Sequence, residues 1–279
     1  MKLLGLDIGT TTISAVVVEN GRSLGRITYK NDSFIPAENS WERMQSPKYI
    51  RETALEAIKT LVKKHPDIER IGVTGQMHGI VYLDQEGTAI SPLYTWQDER
   101  FSYRKESIAT SIHPSVAALI VELAKPYLKE DAQIIDPFCG VGTMLIERNK
   151  KVPAREMYGI DIFGDAITFA RENTKLAGMR INYIHRDFRD FKHEYLFNEI
   201  ITNMPIRGKK TKQEMDLFYE EFFQKAKTIL TSDAVVVMYT NEIGFVKKQL
   251  RLHKEFTLLQ ETCLQPKNDF NLLIMGYKG

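Results

Sequence analysis

The sequence predicts an α/β protein in two parts: a small α/β segment over residues 1–100, and a seven-stranded, mostly parallel sheet covered by helices over residues 101–279. Two observations carry this. Beyond residue 101, short apolar runs alternate regularly with stretches of helical spacing, the pattern of parallel strands joined by helical crossovers. Before it, two apolar runs flank Gly9-Thr10-Thr11-Thr12 as the arms of a hairpin do, and the pattern changes character near residues 97–105.

In the first part, Lys2–Asp7 and Ser14–Glu19 read as strands and a further strand follows. Glu52–Lys64 has helical spacing, and Arg70–Thr74 and Ile80–Asp84 read as strands. In the second part, strands are expected at Gln133–Asp136, Met157–Asp161, Asn182–His185, Glu199–Thr202, Ala234–Tyr239, Thr257–Thr262 and Asn271–Tyr277. Helices are expected at His113–Tyr127, Val141–Asn149, Gly164–Ala177, Gln213–Leu230 and Ile243–Leu252. No helix separates the last two strands, so they should pair as a hairpin with the final strand antiparallel. Ligands of such sheets sit at the carboxyl ends of the strands, near the switch point.

The bulk numbers agree. At roughly 150 residues per domain, 279 residues suggest two domains. Hydrophobic residues make up 43% and charged residues 27%, which argues against extended disorder. Residues 1–100 carry 12 Lys+Arg against 13 Asp+Glu, and residues 101–279 carry 26 against 23. That mild positive excess permits a nucleic-acid partner, with RNA affinity supplemented by another copy or a partner protein. Cys139 and Cys263 belong to no CxxC or Cys/His cluster, so no metal site or disulfide framework is readable. Asp7 interrupts the N-terminal apolar run, and no stretch approaches the roughly 18 apolar residues of a membrane span, which points to the cytoplasm.

Four consecutive strand ends carry the chemistry. After Ile134-Ile135 comes Asp136-Pro137-Phe138-Cys139-Gly140-Val141-Gly142-Thr143, which opens a helix. Gly140 and Gly142 allow a tight turn and close backbone approach to a ligand, and the helix N-terminus offers free N–H donors. The next strand ends in Gly159-Ile160-Asp161-Ile162, where a carboxylate can accept both hydroxyls of a ribose. That much fits NAD as well as S-adenosylmethionine. The third ends in His185-Arg186-Asp187-Phe188, where the acid can accept from an adenine amino group or cap a helix. The fourth ends in Thr202-Asn203-Met204-Pro205-Ile206-Arg207-Gly208. There the Asn203 oxygen and the carbonyl before Pro205 can accept two hydrogen bonds from an amine and aim its lone pair at a sulfonium methyl. Phe138, Ile162 and Phe188 are candidates for an apolar lining. Arg207, Lys209, Lys210 and Lys212 stand beside this turn as candidate phosphate contacts.

Asp-Pro-Phe-Cys-Gly-x-Gly-Thr with Asn-x-Pro resembles the class I methyltransferases that modify guanosine's exocyclic amine in tRNA or rRNA, especially those usually carrying a THUMP domain. Tyr103-Arg104-Lys105 and Ile112–Ala117 resemble the stretch leading into their catalytic domain. The resemblance implies a Rossmann-like fold with S-adenosylmethionine as cofactor. It implies cofactor contacts at Asp136, Gly140 and Gly142, the ribose at Asp161 and adenine near Asp187, with Asn203 and Pro205 holding the target amine; Phe138, Thr143, Ile162, Phe188 and Asn203 complete the expected cofactor contacts. That family often has an aromatic after the proline to stack on the flipped base; here the position is Ile206.

The first hundred residues resemble something else. Gly5-Leu6-Asp7-Ile8-Gly9-Thr10-Thr11-Thr12, Ile71–Gly79 and Leu93–Arg100 resemble FGGY carbohydrate kinases, most closely sedoheptulokinase and xylulokinase. The resemblance implies a partial actin-like (ribonuclease H-like) α/β subdomain with Asp7, Thr10 and Thr11 near nucleotide phosphates and Met77 and His78 in a sugar pocket. It stops near Arg100, short of the parts that hold the kinase's catalytic aspartate. The segment is therefore expected to be an inactive fragment: a relic of a fusion or deletion, or a scaffold in place of the usual RNA-binding domain. A carbohydrate kinase and a non-catalytic RNA- or protein-binding module are the alternative functions.

Overall fold

A computed structural model of the chain, describing residues 1–279 except 39–41, 77–78 and 96, divides into two units, Met1–Arg100 and Phe101–Gly279. In the first, β1 (Lys2–Ile8), β2 (Thr12–Glu19) and β3 (Arg22–Lys30) form an antiparallel meander. After the short β4 (Met44–Gln45) and helix α1 (Pro47–Lys64), β5 (Arg70–Gly75) lies parallel to β1, giving the order β3-β2-β1-β5. Alternation buries Leu4, Leu6, Ile13, Ala15 and Val17 on one face. The helical stripe Ile50, Ala54, Ala57 and Leu61 covers them.

Helix α1 starts earlier than its apolar spacing suggests. Ser46 caps it, accepting from the Tyr49 amide at 3.3 Å, and Pro47 takes the first-turn position where its missing N–H costs nothing. The strand expected at Ile80–Asp84 is not formed. Ile80 and Leu83 make only isolated bridges, to Tyr94 of β6 (Leu93–Tyr94) and to Ala89. Asp84 accepts from the Thr88 amide at 2.7 Å and closes a turn, which competes with a ladder.

The second unit follows the expected alternation: α2 (Pro114–Ala124), β7 (Gln133–Asp136), α3 (Thr143–Lys151), β8 (Glu156–Asp161), α4 (Gly164–Leu176), β9 (Asn182–His185), β10 (Phe197–Asn203), α5 (Lys212–Ile229), β11 (Leu230–Thr240), α6 (Ile243–Leu252), β12 (Phe256–Gln265) and β13 (Phe270–Tyr277). The sheet order is β12-β13-β11-β10-β7-β8-β9. Strand β13 is antiparallel to both neighbours, and β12 and β13 pair directly. The switch point lies between β7 and β10, because β7 pairs with β8 on one side and β10 on the other. This is a Rossmann-like sheet, and the first unit is a partial actin-like subdomain.

Strand periodicity sends Ile134, Ile201 and Val237 to the layer of α2, α3 and α4, and Ile135, Ile200 and Val236 to the layer of α5 and α6. One charge pair is sealed inside. Arg148 of α3 donates to both Glu199 oxygens of β10, at 2.8 and 2.7 Å, and to the carbonyls of Lys129 and Val152. Helix α2 stops at Ala124, where Lys125–Tyr127 tighten into a 3-10 turn containing Pro126. Helix α3 starts at Thr143 because Gly142 is left-handed, with φ +83. Among the described residues no helix is long and apolar enough to cross a membrane.

Candidate active site

The carboxyl ends of β7, β8, β9 and β10 open on one cavity of about 980 Å³. Asp136, Phe138, Gly140, Thr143, Asp161, Ile162, Asp187, Phe188, Asn203 and Pro205, all expected from the sequence, line it. Gly142 sits behind the loop: a Cβ there would come within 2.2 Å of Tyr183 Oη. The two glycines thus do different work. Gly140, at φ +51, would meet nothing within 4 Å and turns an open face outward, whereas Gly142 permits loop, β9 and α4 to close together.

Asp161 anchors the loop from below. Its Oδ2 accepts from the Gly140 amide and its Oδ1 from the Phe163 amide, each at 2.9 Å. Each carboxylate oxygen retains a second acceptor position, enough for the two hydroxyls of a ribose. Asp187 caps a 3-10 turn, Phe188–Asp190, accepting from the Arg189 amide at 2.9 Å. The capping role weighed from the sequence is therefore present. The Arg189 side chain also engages both Asp187 oxygens, holding that carboxyl below its usual range.

Asp136 is buried, and one oxygen accepts from the Phe138 amide at 3.0 Å. Burial pushes its pKa up to about 7. The nearby Thr202 hydroxyl and the Phe138 amide oppose the rise, and the charge of Asp161 adds to it. No formed hydrogen bond engages its second oxygen or the Thr202 hydroxyl. Beside it, Asn203 ends β10, and the Met204 amide donates to the Tyr239 carbonyl at 2.9 Å, fixing the turn ahead of Pro205.

The cationic segment is split. Arg207, Lys209 and Lys210 border the cavity around Gly208, in a turn closed by the Lys210 amide on the Arg207 carbonyl at 3.0 Å. Lys212 does not. It is the first residue of α5, between the Thr211 and Glu214 of the capping box, and lines a separate groove of about 560 Å³ with Asp216, Glu242 and Lys248. Of the kinase-like residues, Asp7 is exposed on β1, and Thr10 and Thr11 form the turn before β2 in the other unit. Thr10 donates to Gln76 at 2.8 Å. Met77 and His78 lie outside the described residues.

Sequence reasoning missed the wall that α5 supplies. Phe218 and Phe222 line the cavity opposite the strand ends, and Phe138 stacks at a tilt on Phe218, ring centroids 5.2 Å apart. An amphipathic helix signals which residues face inward, not that two of them border a ligand space.

The sheet order and the four strand-end turns are those of the class I methyltransferase fold. The chain belongs to the RMKL-like methyltransferase domain family (UPF0020), which matches residues 102–260. Residues 2–120 match the N-terminal domain of the FGGY family of carbohydrate kinases. A tRNA (guanine(10)-N2)-dimethyltransferase of Methanothermobacter thermautotrophicus is 28% identical over 131 residues, 46% of this chain and 38% of that protein. A xylulose kinase of Staphylococcus xylosus is 30% identical over 112 residues, 39% of this chain and 23% of the kinase. The chain thus spans well under half of either relative. Among solved structures, TrmN from Thermus thermophilus superposes with a TM-score of 0.55 at 18% identity, covering 84% of this chain and 69% of its own, a likeness of fold.

Proposed function

We propose that residues 101–279 transfer a methyl group from S-adenosylmethionine to the exocyclic amine of a guanine in structured RNA. The observation that carries this is the convergence of Asp136, Asp161, Asp187 and Asn203, from four adjacent strand ends, on one cavity. The residues fit the cofactor. The open Gly140 face accepts close approach, Asp161 has acceptor capacity for a ribose, and Phe138, Ile162 and Phe188 offer an apolar lining. The bound cofactor supplies an electrophilic methyl on a sulfonium whose charge disappears as the methyl leaves, so a water-poor wall favours transfer.

The chain's own residues orient the acceptor. The Asn203 side-chain oxygen and the Met204 carbonyl each accept one N–H of the amine. The nitrogen lone pair then points away from both, into the cavity. Pro205 holds Met204 extended, and the Met204–Tyr239 hydrogen bond holds the carbonyl in place. A neutral amine needs no strong base before attack, so the gain comes from orientation; as the N–C bond forms the S–C bond breaks to leave a neutral thioether, and the methylated nitrogen then releases one proton to solvent. The guanine preference rests on the tRNA guanine-N2 relative and on the Asn-x-Pro turn. RNA in the cytoplasm is the proposed substrate, with Arg207, Lys209 and Lys210 against its phosphates. The kinase-like unit is proposed to be catalytically silent, because the match is to the kinases' N-terminal domain alone and covers 23% of the xylulose kinase.

The test is Asn203→Ala. Methyl transfer to unmodified tRNA transcripts is expected to fall by a hundredfold or more, on the order expected when an orienting contact is lost, and cofactor affinity by calorimetry to weaken far less, because Asn203 is only one of several cofactor contacts. Unchanged turnover would remove the amine clamp from this reading.

A further inference from the structure

The amine-clamp turn carries no flat surface of its own. The residue after Pro205 is Ile206, 44% exposed at the cavity edge. A base held by two hydrogen bonds at one amine is still free to swing about that nitrogen, so productive orientation requires a wall against its face.

Five phenylalanines line the cavity: Phe138, Phe163, Phe188, Phe218 and Phe222. Phe188 and Phe222 are buried, at 4% and 1% exposure, and serve the core. Phe163 stands two residues after Asp161 and donates its amide to that carboxylate, on the side proposed for the ribose. Phe138 belongs to the glycine loop after β7. Phe218 differs from all of these. It stands on α5 one turn before Phe222 but is only half-buried, with its ring against Phe138 on one flank. Lys210 Nζ, from the loop that follows Asn203 and Pro205, lies 5.9 Å from its ring centroid. The ring therefore lies between the glycine loop and the cationic turn beyond the amine clamp. Its neighbour Leu217 is 55% exposed and also borders the cavity, so α5 presents two consecutive large apolar side chains there.

We infer that Phe218 is the stacking platform for the target base, taking the place that Ile206 cannot fill; this rests on the proposed transfer to a guanine amine. Lys210 marks the ring face within reach of a cation, and a base that takes that face frees the ammonium for the adjoining phosphate. Stacking on an aromatic ring accepts any base face, so Phe218 sets orientation and affinity while Asn203 selects the amine.

The experiment is methyl transfer by the full chain to a pool of unmodified tRNA transcripts, comparing wild type with Phe218→Ala, Phe218→Leu and Phe218→Tyr. Cofactor Kd and melting temperature are read for each protein. Loss of the platform is expected to raise KM for RNA about tenfold or more in Phe218→Ala, in line with the worth of one stacked base. Phe218→Leu keeps bulk without a π face and should fall between, and Phe218→Tyr should restore the wild-type value. Cofactor Kd should be the same in all four. Wild-type KM and kcat in Phe218→Leu, or in a folded Phe218→Ala, would overturn the platform and leave the methyltransferase reading standing. A wild-type protein that binds cofactor yet moves no methyl to guanine N2 overturns the functional reading, and this inference falls with it.

Discussion

Arg189 grips both carboxylate oxygens of Asp187: Nε lies 3.0 Å from Oδ1 and Nη2 lies 2.6 Å from Oδ2. Oδ1 also accepts the Arg189 amide, so both of its lone pairs are engaged. An adenine amino group arriving at this strand end finds only the second position on Oδ2. Arg189 reaches Glu221 of α5 as well, at 3.3 Å, which ties the turn after β9 to the helix that carries Phe218.

Arg189→Ala is therefore expected to tighten S-adenosylmethionine binding severalfold by releasing acceptor capacity, measured by calorimetry. The cost in stability should be small, about 0–1 kcal/mol, because the arginine is 56% exposed and screened by solvent. Asp187 has a lowered folded-state pKa, chiefly through its hydrogen bond from Arg189. Its stabilisation is present above the ordinary value of 3.8 and fades as acid titrates the folded carboxyl. The melting-temperature gap between wild type and variant should accordingly close below that pH.

The four strand-end signals were legible because each combines a residue type with a position that topology fixes. An Asp or Asn at the carboxyl end of a parallel strand stands at the edge of the sheet where such folds bind ligands. The Arg189 clamp was not legible. It joins residues two apart across a 3-10 turn that follows β9, a spacing that brings side chains together in neither of the helical patterns read from the sequence. Phe218 was hidden for the opposite reason: its helical spacing is that of a core residue, and only the packing of Phe138 against it reveals a cavity wall. Ile80–Asp84 misled because an apolar run satisfies the strand pattern, while Asp84 bonding to Thr88 turns the chain away from a ladder. The Ser46-Pro47 start of α1 was written in the sequence as a cap followed by a first-turn proline, but the apolar stripe begins only at Ile50.

Asp136 gives a pH dependence of opposite sign. Its folded-state pKa of about 7 stands above the ordinary 3.8, so between those values the native protein holds a proton that the unfolded chain has released. Stability should fall as pH rises from about 4 to 7 and then level off. Asp136→Asn is expected to flatten that part of the profile and to raise the melting temperature at pH 8. A cationic cofactor favours the ionised carboxylate, so wild-type affinity for S-adenosylmethionine should grow as pH passes about 7, and the variant should lose that rise. Calorimetry at pH 6 and 8 on both proteins checks it; parallel affinities would dissociate Asp136 from cofactor binding.

The buried pair Arg148–Glu199 is a different kind of constraint. Both side chains are sealed, at 0% and 1% exposure. Burial raises the Glu199 pKa, and Arg148 draws it back. Arg148→Ala leaves a buried carboxylate without its partner and two carbonyls without their donor, and should cost about 3–5 kcal/mol by urea denaturation. Arg148→Met with Glu199→Leu should recover much of that loss, because the desolvation penalty goes with the charges. If the double variant were as unstable as the single one, the pair would be contributing net stability rather than fixing how α3 meets β10.

Gly142 and Tyr183 test the packing behind the cofactor loop. A Cβ on Gly142 falls 2.2 Å from Tyr183 Oη, and the residue holds φ +83. Tyr183 Oη is itself tied to the Thr174 hydroxyl at 2.8 Å, so the ring cannot simply swing aside. Gly142→Ala is expected to destabilise the domain by about 2–4 kcal/mol, from overpacking together with left-handed strain. Tyr183→Phe removes the clashing oxygen and leaves the ring carbon that Cβ would meet at 3.1 Å. In a double-mutant cycle, Tyr183→Phe should therefore recover about 1 kcal/mol of the Gly142→Ala loss. The backbone share of the cost should remain, and it should appear as weaker cofactor binding because Gly140 and Gly142 turn in the same loop. Additive losses would mean that the glycine is required by its dihedral angle alone and that Tyr183 yields freely.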